Sequence, residues 1–120
     1  MKTGELQGHA DGVPTTVADG LRTTLGSNNF PIIKDFVESV FLVAESQIVA
    51  GMRLTMERMK VVVEPSAGVG VAVALWHPEF LALKGISKVG IVLCGGNVDL
   101  EAISSLLQKY PPVRDGSLGP

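Results

Sequence analysis

Residues 88–97 read KVGIVLCGGN, and this stretch decides the fold class. Val89, Ile91, Val92 and Leu93 follow without polar alternation, as in a β-strand covered on both faces. The run ends in Cys94, Gly95, Gly96 and Asn97, and helical spacing resumes from Asp99 to Gln108 through Leu100, Ile103, Leu106 and Leu107. A strand, a tight glycine turn and an amphipathic helix are the parts of a βα unit.

Upstream, Ser39 to Val43 (SVFLV) is a second unalternated run. Before it, Pro31 starts a short helical pattern with Ile32, Ile33, Phe36 and Val37 on one face and Lys34, Asp35 and Glu38 on the other. From Ser46, Ile48, Val49, Met52, Met56 and Met59 recur at three and four, with Arg53, Glu57 and Lys60 opposite, which predicts a long helix. Its methionines would suit a pliable groove, but the reading adopted is a core stripe. After Val61 to Val63 the pair Glu64-Pro65 breaks the pattern, since the residue before proline is biased away from helix. Pro65 then suits the first turn of a small-residue helix through Trp76. Inside it Gly68 and Gly70 each cost about 1 kcal/mol relative to alanine, which close approach of another backbone or a ligand would offset.

The order helix, strand, helix, helix, strand, helix predicts an α/β layer with parallel pairing over residues 31–110. Residues 1–30, rich in Gly, Thr, Asn and Asp, read as a loop or linker, and 111–120 as a flexible tail. Two strands do not make a stable sheet, so the missing neighbours are expected from another segment or another chain. Composition agrees. At 120 residues the chain is at most one domain, yet charged residues are 18% of it, against roughly 25% in ordinary soluble domains. Such a small, apolar domain reads as part of something larger.

Ten basic against twelve acidic residues offer no basic stripe for a nucleic acid. The longest apolar stretch, Ala67 to Trp76, is about half of the ~20 residues that cross a bilayer, so no membrane helix is expected. The start lacks the apolar core of a signal peptide, and the lone Cys94 excludes an intrachain disulfide. The expected location is cytoplasmic.

Ligands in open α/β sheets bind outside the carboxyl ends of strands, which makes Cys94 and the turn after it the leading candidate site. Gly95 and Gly96 let backbone N–H groups approach a ligand. The alternative is a tight βα turn holding a small buried thiol. Glu64 either caps the helix behind Pro65 or faces a cleft at its start. Lys60 falls near the end of the methionine helix, where the dipole favours a cation, and also suits a solvated surface. His9 and His77 lie in no metal-ligand spacing, and no nucleophile elbow, Walker loop, dinucleotide fingerprint or paired-cysteine zinc motif is present.

Four segments carry a family resemblance: TVADGLR at 16–22, FPIIKDFV at 30–37, ERMKVVVEPSAGVGVAVAL at 57–75 and IVLCGGNVDL at 91–100. In collinear order they resemble the C-terminal part of serine racemases and the serine and threonine dehydratases, which are fold-type II pyridoxal-phosphate enzymes. The resemblance implies part of a three-layer, parallel-sheet large domain. It also implies chemistry in which a lysine holds pyridoxal phosphate, the amine of a small amino acid displaces it, and the ring stabilises the α-carbanion. Serine is then racemised, or dehydrated to pyruvate and ammonia. In the resembling enzymes a Ser or Cys at the position of Cys94 contacts the pyridine nitrogen, Gly95 lies beside it, and Glu64 matches a carboxylate near the cofactor. Lys60 and Asn97 match nucleotide-contacting positions. ATP and a divalent cation, and a homodimer, belong to the full-length form.

The departures are as specific. None of Lys2, Lys34, Lys60, Lys84, Lys88 or Lys109 sits in the S-x-K-x-R-G setting of the family's cofactor lysine, and the Gly-rich phosphate loop and upstream acidic metal ligands are absent. Ala44 stands where a hydroxyl residue commonly precedes the long helix, removing a cap of about 1 kcal/mol unless Ser46 takes over. The chain is therefore expected to be inactive alone: a piece of such an enzyme whose missing half, or a second subunit, is supplied separately. The alternative is a non-catalytic remnant, an interaction module that binds a full-length relative.

Overall fold

In a computed structural model, residues 4–9 and 12–112 are described, and along them run α1 (Asn29–Phe36), α2 (Glu45–Met59), α3 (Pro65–Trp76), α4 (Pro78–Leu81) and α5 (Leu100–Lys109). A single 3-10 turn, Asp19–Leu21, precedes them within the segment read as linker. The centre is the α2–α3 pair. A Cβ on Gly51 would fall on the carbonyl oxygen of Gly68, and one on Gly68 would fall on that of Ile48 and lie 2.7 Å from the Met52 nitrogen. Each helix thus presents a bare backbone to the other, and the cost of Gly68 is offset by that approach. Gly70 meets a side chain instead, its absent Cβ lying 2.9 Å from a methyl of Ile91.

Around this contact Val49, Met52, Val63, Ala67 and Ile103 form the buried core. The apolar stripe of α2 fills it from one side. Met52 is fully buried and Met56 packs against the edge, whereas Met59, in the last turn, is 58% exposed. Ala44 has no side-chain acceptor, and Ser46 does not take its place. Instead the Gln47 Oε1 accepts the Ala44 N–H at 2.8 Å, the reverse half of a capping box. At the other end Lys60 terminates α2 in the left-handed region, with φ of 59°. Arg53, placed opposite the apolar stripe by the sequence, reaches α5: one guanidinium nitrogen donates to the Leu107 and Tyr110 carbonyls at 2.9 and 3.5 Å. It fastens the C-terminus of α5 to the middle of α2.

The expected parallel sheet is not observed among the described residues. Ser39 to Val43 and Lys88 to Leu93 carry no strand assignment, and neither makes a backbone ladder with a neighbour. A strand exists only when another pairs with it, and two short runs flanking one helix pair have none to pair with. Their apolar faces are correspondingly open: Val40, Leu42 and Val92 are 65, 83 and 82% exposed. One backbone bond joins the ends of the two stretches that flank α3, the Glu64 N–H donating to the Gly95 carbonyl at 3.2 Å. α1 also leaves its apolar face uncovered, with no buried residue. Phe41 is held by edge contacts to the rings of His77 and Phe80, which flank the start of α4.

Candidate functional site

Pro65 at the first position of α3 fixes the chain direction there, and Glu64 before it is extended, as proline requires. The Glu64 carboxylate makes no capping bond to α3. It turns instead to the glycine turn, where Oε2 accepts the Asn97 N–H at 3.1 Å. The capping alternative is not what the structure shows; the carboxylate bonds across the turn instead.

The turn is built to admit that carboxylate. Gly95 has φ of 115°, and a Cβ there would lie 2.5 to 2.7 Å from the three carboxylate atoms of Glu64. Gly96 runs close to the Val62 carbonyl, 3.1 Å from where its Cβ would stand. Cys94, just before the glycines, is exposed, so the buried-thiol alternative does not apply in this structure. Cys94, Gly95, Asn97 and Glu64 are thus brought to one place by the junction of residues 61–64 with 93–97. Lys60 is not joined to them: its Nζ donates to the Glu57 carbonyl at 2.6 Å, closing its own helix.

Sequence reading missed a third side of this site. The Gly20 N–H donates to Ser66 Oγ at 3.2 Å, and the absent Gly20 Cβ would lie 3.3 Å from Glu64 Oε1. The Val17 N–H donates to Glu45 Oε2 at 2.7 Å at the start of α2, and Ala18 is 1% exposed. Residues 17–20 are therefore strapped against the Glu64 carboxylate. TVADGLR was visible as a motif, but without periodicity it fell into the expected linker.

The set offers an exposed thiol, a carboxylate held by a backbone N–H, and glycines that leave space beside both. These groups fit one edge of a flat heteroaromatic ring: a thiol can donate to or accept from a ring nitrogen, and no side chain stands at Gly95 or Gly96 to block approach. They do not include a phosphate cradle or a free lysine. Among the described residues no three His, Cys, Asp or Glu side chains are grouped to hold a metal ion, and no helix is long and apolar enough to cross a membrane.

Comparison with known proteins gives this geometry a context. Serine racemase from Dictyostelium discoideum is 50% identical over 107 residues, 89% of this chain and 33% of that protein. L-threo-3-hydroxyaspartate ammonia-lyase from a Pseudomonas species is 40% identical over 115 residues, 90% of this chain and 33% of that enzyme. The solved structure of maize serine racemase superposes with a TM-score of 0.77 at 35% identity, over 91% of this chain and 34% of that one. The solved neighbours are fold-type II enzymes, and this chain spans about a third of the length of these relatives. Residues 2–95 match the family model described as pyridoxal-phosphate dependent enzyme, and the chain belongs to that family.

Proposed function

We propose that the chain supplies the ring-facing part of the large domain of a pyridoxal-phosphate enzyme that racemises serine or eliminates its hydroxyl to give pyruvate and ammonia. The observation that carries this reading is the clasp in which Glu64 holds the Asn97 N–H across Gly95, next to the exposed Cys94. Cys94 would meet the pyridine nitrogen, with Gly95 beside it and Glu64 near the ring. When bound, the cofactor supplies the electron sink for the carbanion. A thiol at the nitrogen, unlike a carboxylate, does not force the ring to stay protonated, which keeps that sink moderate. Asn97 holds Glu64 in place through its backbone, so the carboxylate stays beside the ring instead of capping α3. Lys60 and the Asn97 amide are the proposed contacts for ATP, with a divalent cation contributed by residues outside this chain.

The cofactor lysine, the phosphate cradle and the remaining strands would come from the rest of the enzyme, and the complete form would be a homodimer. The uncovered runs at 39–43 and 88–93 support that reading, because strands of the partner segment would pair with them and complete the three-layer domain over residues 31–110. The same open faces suit the second reading, a non-catalytic module docking on a full-length relative. An exposed lone cysteine suits a reducing compartment, and the cytoplasm is the proposed location.

Co-expression with the N-terminal two-thirds of the Dictyostelium enzyme separates the two readings. Recovery of a complex that retains pyridoxal phosphate and turns over L-serine is expected. A complex that forms without cofactor or turnover would leave only the docking module. Within an active complex, Cys94→Ser should keep most activity, Cys94→Ala should weaken cofactor retention by an amount in the range of a lost buried hydrogen bond, about 1–3 kcal/mol, and Cys94→Asp should change the ratio of racemisation to elimination. If Ala and Asp variants both match the parent, Cys94 does not touch the ring.

A further inference from the structure

Glu45 opens α2, a place where a carboxylate ordinarily serves the helix end. Here it also reaches across the chain: Oε2 accepts the Val17 N–H at 2.7 Å, and no cation among the described residues pairs with it. Beyond that bond the strap is stiffened from within. The Ala18 N–H donates to Thr16 Oγ1 at 3.1 Å, the Leu21 N–H to the Ala18 carbonyl at 2.9 Å, and the Arg22 guanidinium to the Thr16 carbonyl at 3.3 Å. Its far end bears on the clasp. Gly20 stands against both the Ser66 hydroxyl and the Glu64 carboxylate, its absent Cβ lying 3.0 Å from Ser66 Oγ and 3.3 Å from Glu64 Oε1. We propose that Glu45 is a positioning residue for Glu64: by holding residues 17–20 it keeps that carboxylate turned to the glycine turn and away from the start of α3.

Two places compete for the Glu64 carboxylate. Glu64 is the N-cap residue of α3, where open first-turn N–H groups and the helix dipole attract a negative side chain, yet it makes no capping bond there. What it takes instead is the N–H of Asn97, an exposed turn residue. A single turn amide holds a carboxylate against a helix end only when the way to that end is closed. Gly20 closes it, because its N–H occupies Ser66 Oγ at 3.2 Å and its backbone fills the space beside Glu64 Oε1. One 3-10 turn separates Gly20 from the Glu45 contact, so the two ends of the strap move together.

That Glu64 lies beside a cofactor ring rests on the function proposed above; the hold on Glu64 does not. Amide hydrogen exchange of the 120-residue chain, read at single residues by mass spectrometry without pyridoxal phosphate, tests the hold. In Glu45→Ala the amides of Val17 and Asn97 should exchange at least about tenfold faster, with Val49 and Met52 within about twofold of the parent. Glu45→Gln, which keeps an acceptor for Val17, should stay within about threefold at all four. Ser66→Ala leaves α2 untouched and should speed Asn97 at least about threefold while Val17 stays within about twofold; it decides the matter if Glu45→Ala loses helix content by circular dichroism. Parental exchange at Asn97 in Ser66→Ala or in a folded Glu45→Ala, equal acceleration along α2, or a Glu45→Gln variant as fast as Glu45→Ala overturns the proposal. In the reassembled enzyme Glu45→Ala should also move the cofactor's visible absorption maximum; faster Asn97 exchange with an unmoved spectrum would support the strap and tell against Glu64 standing at the ring.

Discussion

Gly95 concentrates two demands on one residue. Its φ of 115° is strained for any L side chain, and the space a Cβ would take is filled by the Glu64 carboxylate. Because that carboxylate is the end of a flexible side chain it can swing aside, so Gly95→Ala should cost mainly the backbone strain, about 1–3 kcal/mol in urea unfolding, together with loss of the Asn97 contact. Glu64→Gln retains an acceptor for the Asn97 N–H and should stay within about 0.5 kcal/mol of the parent. A Gly95→Ala variant as stable as the parent would show that the turn relaxes out of this conformation. The CGGN turn was readable as a candidate site from its place after an apolar run, although a glycine pair there also suits a plain tight turn. It left the direction of Glu64 open, since a cap and a cross-turn bond both lie within one side chain's reach. Ser66 and Gly20 were unreadable as partners because 46 residues separate them and neither carries a periodic signal.

Among the elements, α2 and α3 depend on their two glycines. A Cβ on Gly68 would meet main chain, which cannot rotate away as a side chain can. Gly68→Ala should therefore destabilise by about 3 kcal/mol despite alanine's better helix propensity, and the double variant with Gly51→Ala should cost less than the sum, because helices already pushed apart have room for the second methyl. Urea midpoints of the three variants check this, and strict additivity would mean that the two contacts are independent. Periodicity located the long helices closely: a start at Ser46 was expected and α2 begins at Glu45, and the pattern to Gln108 became α5 ending at Lys109. α4 was missed because four residues cannot display a period. The strands were read from composition alone, and composition describes what a strand is covered by; pairing needs a neighbour that none of the described residues supplies.

For the molecule as a whole, the apolar runs at 39–43 and 88–93 and the open face of α1 should drive association of the isolated chain. Light scattering should show mass rising with concentration, and thermal unfolding should broaden; a concentration-independent monomer with a sharp transition would contradict this. The left-handed end of α2 bears on the same balance. That conformation is where helices most often place glycine, and lysine in it forgoes about 1–2 kcal/mol, offset in part by its bond to the Glu57 carbonyl. Lys60→Gly should consequently raise the unfolding midpoint of the chain while lowering the response of a reassembled enzyme to ATP. Glycine at position 60 would relieve the left-handed backbone but remove both the Nζ bond to the Glu57 carbonyl and the positive charge, so the two measurements separate what lysine costs the fold from what its charge does for a ligand.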